Sequence, residues 1–237
     1  MPGFHALQTP TAPFGEGEAP TTVRDIGTLT VTSGFVTACD PFAALGEGDR
    51  FAVPIGQHPV RVTIADVSDE KDGSHLREAY LSLILSEAEI VRVEPAVPDG
   101  VEDTSGENLY CVGVDAGTVA FVDSEAATTA VDSDTDWQEV FEEGDDAWFD
   151  LMDSPDHYFE GVANIALPTA NNGENVTLAH SGWGDGLFPV IASFAENGTL
   201  TGLHIDLEVL GEYSEDDDND EDDEDEADAE AGRSDVA

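Results

Sequence analysis

Apolar residues recur at every second position over much of this chain, and that spacing commits it to β-strands rather than helices. Leu29 and Val31 alternate with Thr28, Thr30 and Thr32, and Val60, Val62 and Ile64 alternate with Arg61 and Thr63. Leu203, Ile205, Leu207 and Val209 alternate with His204, Asp206 and Glu208. A period of two gives a half-buried strand with one apolar face, so the second set reads as a solvated face. Ser33-Gly34 turns the chain into a short strand over 35–39, which ends at Asp40-Pro41. Further strands are predicted over 79–85, 90–93, 110–114, 118–122, 162–167, 176–179 and 188–194. Asn171-Asn172-Gly173 and Asn197-Gly198 are hairpin turns, the latter pairing the strands over 188–194 and 200–210.

One segment departs from this period. Trp137, Val140, Phe141, Trp148, Leu151 and Met152 recur at helical spacing, with Glu139, Glu142, Glu143 and Asp146 opposite. Thr135 and Gln138 have capping-box spacing, which predicts a start near Asp136. Gly144 weakens or kinks the middle, and Pro155 ends the helix. The fold class that follows is α+β: mainly antiparallel sheet, sandwich-like or strongly twisted, with one principal amphipathic helix. No internal repeat is visible. Residues 1–24, rich in Pro, Gly, Thr and Ala, read as a disordered N-terminal arm. Residues 25–211 form a single strand-rich domain, and 212–237 a disordered acidic tail.

The charge bounds the setting. Seven basic residues against fifty-three acidic ones give a formal net charge of −46, and Lys71 is the only lysine. Removing the thirteen carboxylates of residues 215–230 still leaves −33. Such a body repels itself unless salt screens it, and at molar salt the Debye length is roughly 3 Å. The composition therefore predicts a cytoplasmic protein of a cell that keeps molar salt inside. Nucleic acid and anionic membrane are excluded as direct partners by repulsion. No apolar run approaches the ~20 residues of a spanning helix, and no signal peptide is read at the N-terminus. Cys39 and Cys111 lack metal or disulfide-framework spacing and read as two free, buried thiols of a reducing compartment.

Motifs that could carry chemistry are few. His180-Ser181-Gly182-Trp183-Gly184-Asp185-Gly186 sets three glycines around Asp185, either a ligand-bearing tip or a tight turn with an Asx bond. Ser181 lacks the nucleophile elbow, since Ala179 stands where glycine is required, and adjacent His180 points to the opposite face of a strand. Asp132, Asp134, Asp136 and Glu143 have calcium-loop spacing, but Trp137 occupies the glycine position, and acids at a helix N-terminus follow from its dipole. His204, Asp206 and Glu208 share a strand face with ligand-like chemistry.

Three segments together resemble a known family. Ser33-Gly34 with Cys39-Asp40-Pro41, then Val114-Asp115-Ala116-Gly117-Thr118 with Phe121 and Asp123, then Asn164 with Ser181-Gly182-Trp183-Gly184-Asp185-Gly186, are similar to the family of unknown function numbered 4241. Gly56-Gln57-His58-Pro59-Val60 is similar to the start of one of that family's strands. The resemblance covers about residues 25–210 and implies no established activity and no catalytic residue. It selects Asp40, Asp115, Asp123, Asp185 and Asp206, with Ser181, as candidate functional residues. Asp115, Asp185 and Asp206 are the candidate metal ligands, for Mg²⁺ or Ca²⁺ if they converge. Two functions are expected. The first is a non-enzymatic binding module of immunity or regulatory type, meeting a basic protein partner. The alternative is a metal-dependent hydrolase using these aspartates, with His180 or His204 as base. No cofactor is required by the first reading, and oligomeric state is left open.

Overall fold

Every strand ladder of the computed structural model is antiparallel, as the period-two pattern and short turns require. It describes residues 3–103, 106, 108–144 and 146–211. In chain order the strands are β1 (Thr11–Phe14), β2 (Gly17–Val31), β3 (Phe35–Cys39), β4 (Arg50–Ala52), β5 (Gly56–Asp66), β6 (Leu76–Ile84) and β7 (Arg92–Pro95). They continue with β8 (Cys111–Val114), β9 (Thr118–Asp123), β10 (Val162–Ala166), β11 (Asn175–His180), β12 (Gly186–Phe194) and β13 (Leu200–Asp206). Between β9 and β10 lie α1 (Ser124–Val131), α2 (Trp137–Glu142) and α3 (Trp148–Asp153).

Two sheets and a helical layer result. The larger sheet has eight strands in the order β1-β2-β5-β6-β13-β12-β7, with β8 also on β12. The smaller has five, β10-β11-β9-β3-β4. Val119 and Phe121 of β9 face the larger sheet, packing with Leu29, Val62, Leu81 and Ile205. Ala120 and Val122 face the other way, onto Ala127 and Ala130 of α1 and Trp148 and Met152 of α3. β9 is therefore buried on both sides, which explains its uninterrupted apolar run. The α+β class with mainly antiparallel sheet holds.

The helical segment differs from a single helix. Gly144 takes φ +94°, and α2 ends at Glu142 while α3 begins at Trp148. The break lets Trp137 and Phe141 fold back on Trp148, with ring centres 5.9 and 5.3 Å apart. Asp136 is the N-cap, its carboxylate accepting from Glu139 N–H at 3.3 Å. Helix α1 escaped prediction because its buried face is only Ala127 and Ala130.

The N-terminal arm is a correction. Residues 11–24 pair as β1 and the first half of β2, with Thr21 opposite Ala65 and Arg24 opposite Val62. Ala12 and Ala19 are fully buried. Small residues carry the alternation here, and Pro10 and Pro13 are tolerated because β1 is an edge strand. Ahead of β1, Phe4 lies against the rings of Tyr80 (6.0 Å) and His204 (5.0 Å), and Leu7 N–H donates to Thr63 Oγ1 at 2.9 Å. This segment covers the face of the large sheet on which Thr63, Tyr80 and Asp206 stand in register. His204 is thus fully buried, not solvated. Cys39 is buried, its thiol pushed up to about 12 by desolvation, whereas Cys111 is exposed. The acidic tail, 212–237, lies outside the described residues. Among the described residues no helix is long and apolar enough to cross a membrane.

Candidate functional site

The aspartates of the motif segments converge on backbone rather than on one another. Asp40, almost fully buried at the end of β3, accepts from Phe42 N–H (3.0 Å) and Ala43 N–H (3.2 Å) through Oδ1. Its Oδ2 accepts from Asp115 N–H (2.9 Å) and Ala116 N–H (2.7 Å). Asp185 takes the next donor of that turn, Gly117 N–H, at 3.1 Å. Two carboxylates from distant segments thus hold three successive N–H groups between β8 and β9. Ser181 completes the clamp: its N–H donates to Gly117 C=O at 3.0 Å, and its hydroxyl to Gly184 C=O at 2.6 Å. Ser181 is a buried turn residue.

Asp123 closes a second junction. Its Oδ1 caps α1 by accepting from Glu125 N–H (3.1 Å) and Ala126 N–H (2.9 Å). Its Oδ2 accepts from Thr32 N–H (2.7 Å), Ser33 N–H (2.8 Å) and the Ser33 hydroxyl (2.9 Å). A carboxylate that takes five donors is fully committed to structure. Asp206 accepts from Tyr80 Oη–H at 2.7 Å and Glu208 N–H at 3.0 Å, and burial pushes it up to about 6. Asp115 is exposed and contributes its backbone N–H to the clamp. Among the described residues no three His, Cys, Asp or Glu side chains group as metal ligands. Asp115, Asp185 and Asp206 are therefore not brought together, nor are Asp132, Asp134, Asp136 and Glu143.

Two of the surface concavities lie on segments that the sequence singled out. The larger, about 620 Å³, runs between α2, α3 and β10. Val140, Trp148, Leu151 and Ile165 supply an apolar lining, and Glu139, Glu143 and Asp146 supply carboxylates. Apart from Ile165 of β10, both sets belong to the two faces of the helical pattern. The break at Gly144 brings them to one groove. The smaller, about 330 Å³, lies where β6 begins, with Arg77, Glu78, Glu160 and His180 in its wall. Burial pushes Glu78 up to about 7 and His180 below its ordinary value. Sequence reasoning reached His180 but missed Arg77, Glu78 and Glu160, because their neighbours come from remote segments.

No curated protein and no solved structure matches the chain. The family described as Protein of unknown function (DUF4241) matches residues 29–205, the span that holds both clamped turns and the strands beneath them, and the chain belongs to that family.

Proposed function

We propose that this protein is a non-enzymatic binding module of a salt-rich cytoplasm, of immunity or regulatory type, which docks a basic amphipathic segment of a partner protein in the α2–α3 groove. The observation that carries this reading is the groove itself, with apolar Val140, Leu151 and Ile165 beside Glu139, Glu143 and Asp146. In molar salt the reach of charge falls to roughly 3 Å, so affinity must come from apolar burial and from ion pairs at contact. A groove with both kinds of group suits that condition. Nucleic acid and anionic membrane are disfavoured partners on charge. The hydrolase alternative lacks support, because Asp40 and Asp123 have their oxygens occupied by backbone N–H groups.

The test is a titration in molar KCl with a synthetic Leu/Lys amphipathic peptide, read by tryptophan fluorescence. The wild-type chain binds, the Leu151→Glu variant binds at least about tenfold more weakly, and a peptide with Glu replacing Lys does not bind. Equal binding by wild type and Leu151→Glu, or none by wild type, refutes the reading.

A further inference from the structure

Strand β6 opens with Leu76-Arg77-Glu78, and the segment before it, Gly73-Ser74-His75, curls around the 330 Å³ cleft. Glu160 comes from the turn before β10, and His180 is the last residue of β11. Two glycines fix this corner. Gly182 takes φ +71°, and a Cβ there would lie 2.6 Å from Val209 Cγ2 and 3.1 Å from Glu78 O, so the glycine-rich turn sits directly on β6. Gly161 takes φ +92°, and a Cβ there would lie 2.5 Å from Glu78 Oε1 and 3.0 Å from His180 Nδ1. The carboxyl and the imidazole therefore crowd one point, where only a glycine lets them approach. Trp183, exposed on the same turn, covers Arg77, whose guanidinium carbon is 5.2 Å from the ring centre.

Among the described residues, one donor held there is unsatisfied, and one buried carboxyl has no partner beyond its own backbone. Glu78 is 8% exposed, and among the described residues its carboxyl takes a hydrogen bond only from its own backbone N–H. Arg77 Nε is buried with no partner, and its Nη1 donates to Leu76 C=O at a long 3.3 Å. Buried donors and acceptors are paired in folded proteins, so such a set inside one cleft calls for a partner. The charges select it. Arg77 is a permanent cation; Glu160 is an anion, and Glu78 becomes one when a cation approaches. A simple anion satisfies Arg77 but meets Glu160, and a simple cation does the reverse. A cleft of this size accommodates a small molecule that carries both.

We propose that this cleft binds a small zwitterion of the amino-acid class, its carboxylate on Arg77 and its ammonium on Glu78 and Glu160, beneath the indole of Trp183. The site is separate from the α2–α3 groove and stands or falls apart from it.

Isothermal titration calorimetry of the full chain in molar KCl tests this, with L-alanine as probe and acetate and methylammonium as half-ligands. L-Alanine binds, and each half-ligand binds at least about tenfold more weakly. Glu78→Gln and Arg77→Gln each weaken L-alanine at least about tenfold while the far-UV circular dichroism spectrum is kept. Gly161→Ala pushes the Glu78 carboxyl from its place and weakens L-alanine likewise, and the two side-chain variants decide the matter if it fails to fold. Absence of L-alanine binding overturns the proposal. So does acetate or methylammonium binding as tightly as L-alanine, or wild-type affinity in both Glu78→Gln and Arg77→Gln.

Discussion

His204 Nδ1 lies 2.9 Å from the hydroxyl of Ser82, and the ring's Nε2 lies 2.9 Å from the hydroxyl of Ser193. A neutral imidazole donates from one nitrogen and accepts at the other, so the two serines satisfy it without a proton. Burial pushes this histidine down to about 3. Between its ordinary value of 6.5 and about 3, the unfolded chain takes up a proton that the folded chain refuses. Stability from His204 is therefore full above pH 6.5 and is lost as pH falls towards 3. Urea titrations in molar KCl will give a loss on the order of a few kcal/mol across this window, and His204→Gln will flatten that slope.

Asp206 carries the opposite sign. Its folded value of about 6 lies above the ordinary 3.8, so the folded chain holds a proton that the unfolded chain releases. Its contribution is present below pH 3.8 and is lost as pH rises through 6. Asp206→Asn retains a polar neighbour for Tyr80 without the buried charge, and its denaturation midpoint at pH 7 will equal or exceed that of wild type. A fall of more than about 1 kcal/mol would contradict this account.

The clamps make unequal demands. Asp123→Ala leaves the part-buried N–H groups of Thr32 and Ser33 and the first N–H groups of α1 without their acceptor and will lower unfolding free energy by about 3 kcal/mol. Asp185, exposed and accepting from Gly117 alone, will cost no more than about 1 kcal/mol as Asp185→Ala. Addition of Mg²⁺ or Ca²⁺ will not raise the melting temperature of wild type relative to Asp185→Asn.

Gly182→Ala places a methyl group against Val209 and the backbone of β6 at a positive φ. The expected cost is about 2–3 kcal/mol, measured by urea unfolding. Gly173, also at positive φ but with open space, will cost about 1 kcal/mol as Gly173→Ala.

The body's charge of −33 predicts dependence on salt. Transfer from molar KCl to dilute buffer will reduce the far-UV circular dichroism signal and the melting temperature. An unchanged melting curve would show that the fold tolerates its own repulsion.

Sequence alone determined the antiparallel β character, the turns at Ser33-Gly34 and Asn197-Gly198, and the acid-rich surface, because period, turn chemistry and charge are local. The family-like motifs drew attention to Asp40, Asp123 and Asp185 among other candidates. What else these three do was decided by tertiary structure: beyond the local donors at residues 42–43 and 125–126, the N–H groups they accept come from turns far along the chain. The same holds for His204, whose alternation with Leu203 and Ile205 reads as exposed. Residues 3–9 cross that face and exclude water, and no local signal reports such a cover. Arg77, Glu78, Glu160 and His180 are individually ordinary in a chain so rich in carboxylates. Only the packing of two sheets, with a glycine at 161 that lets Glu78 and His180 approach, makes them one cleft.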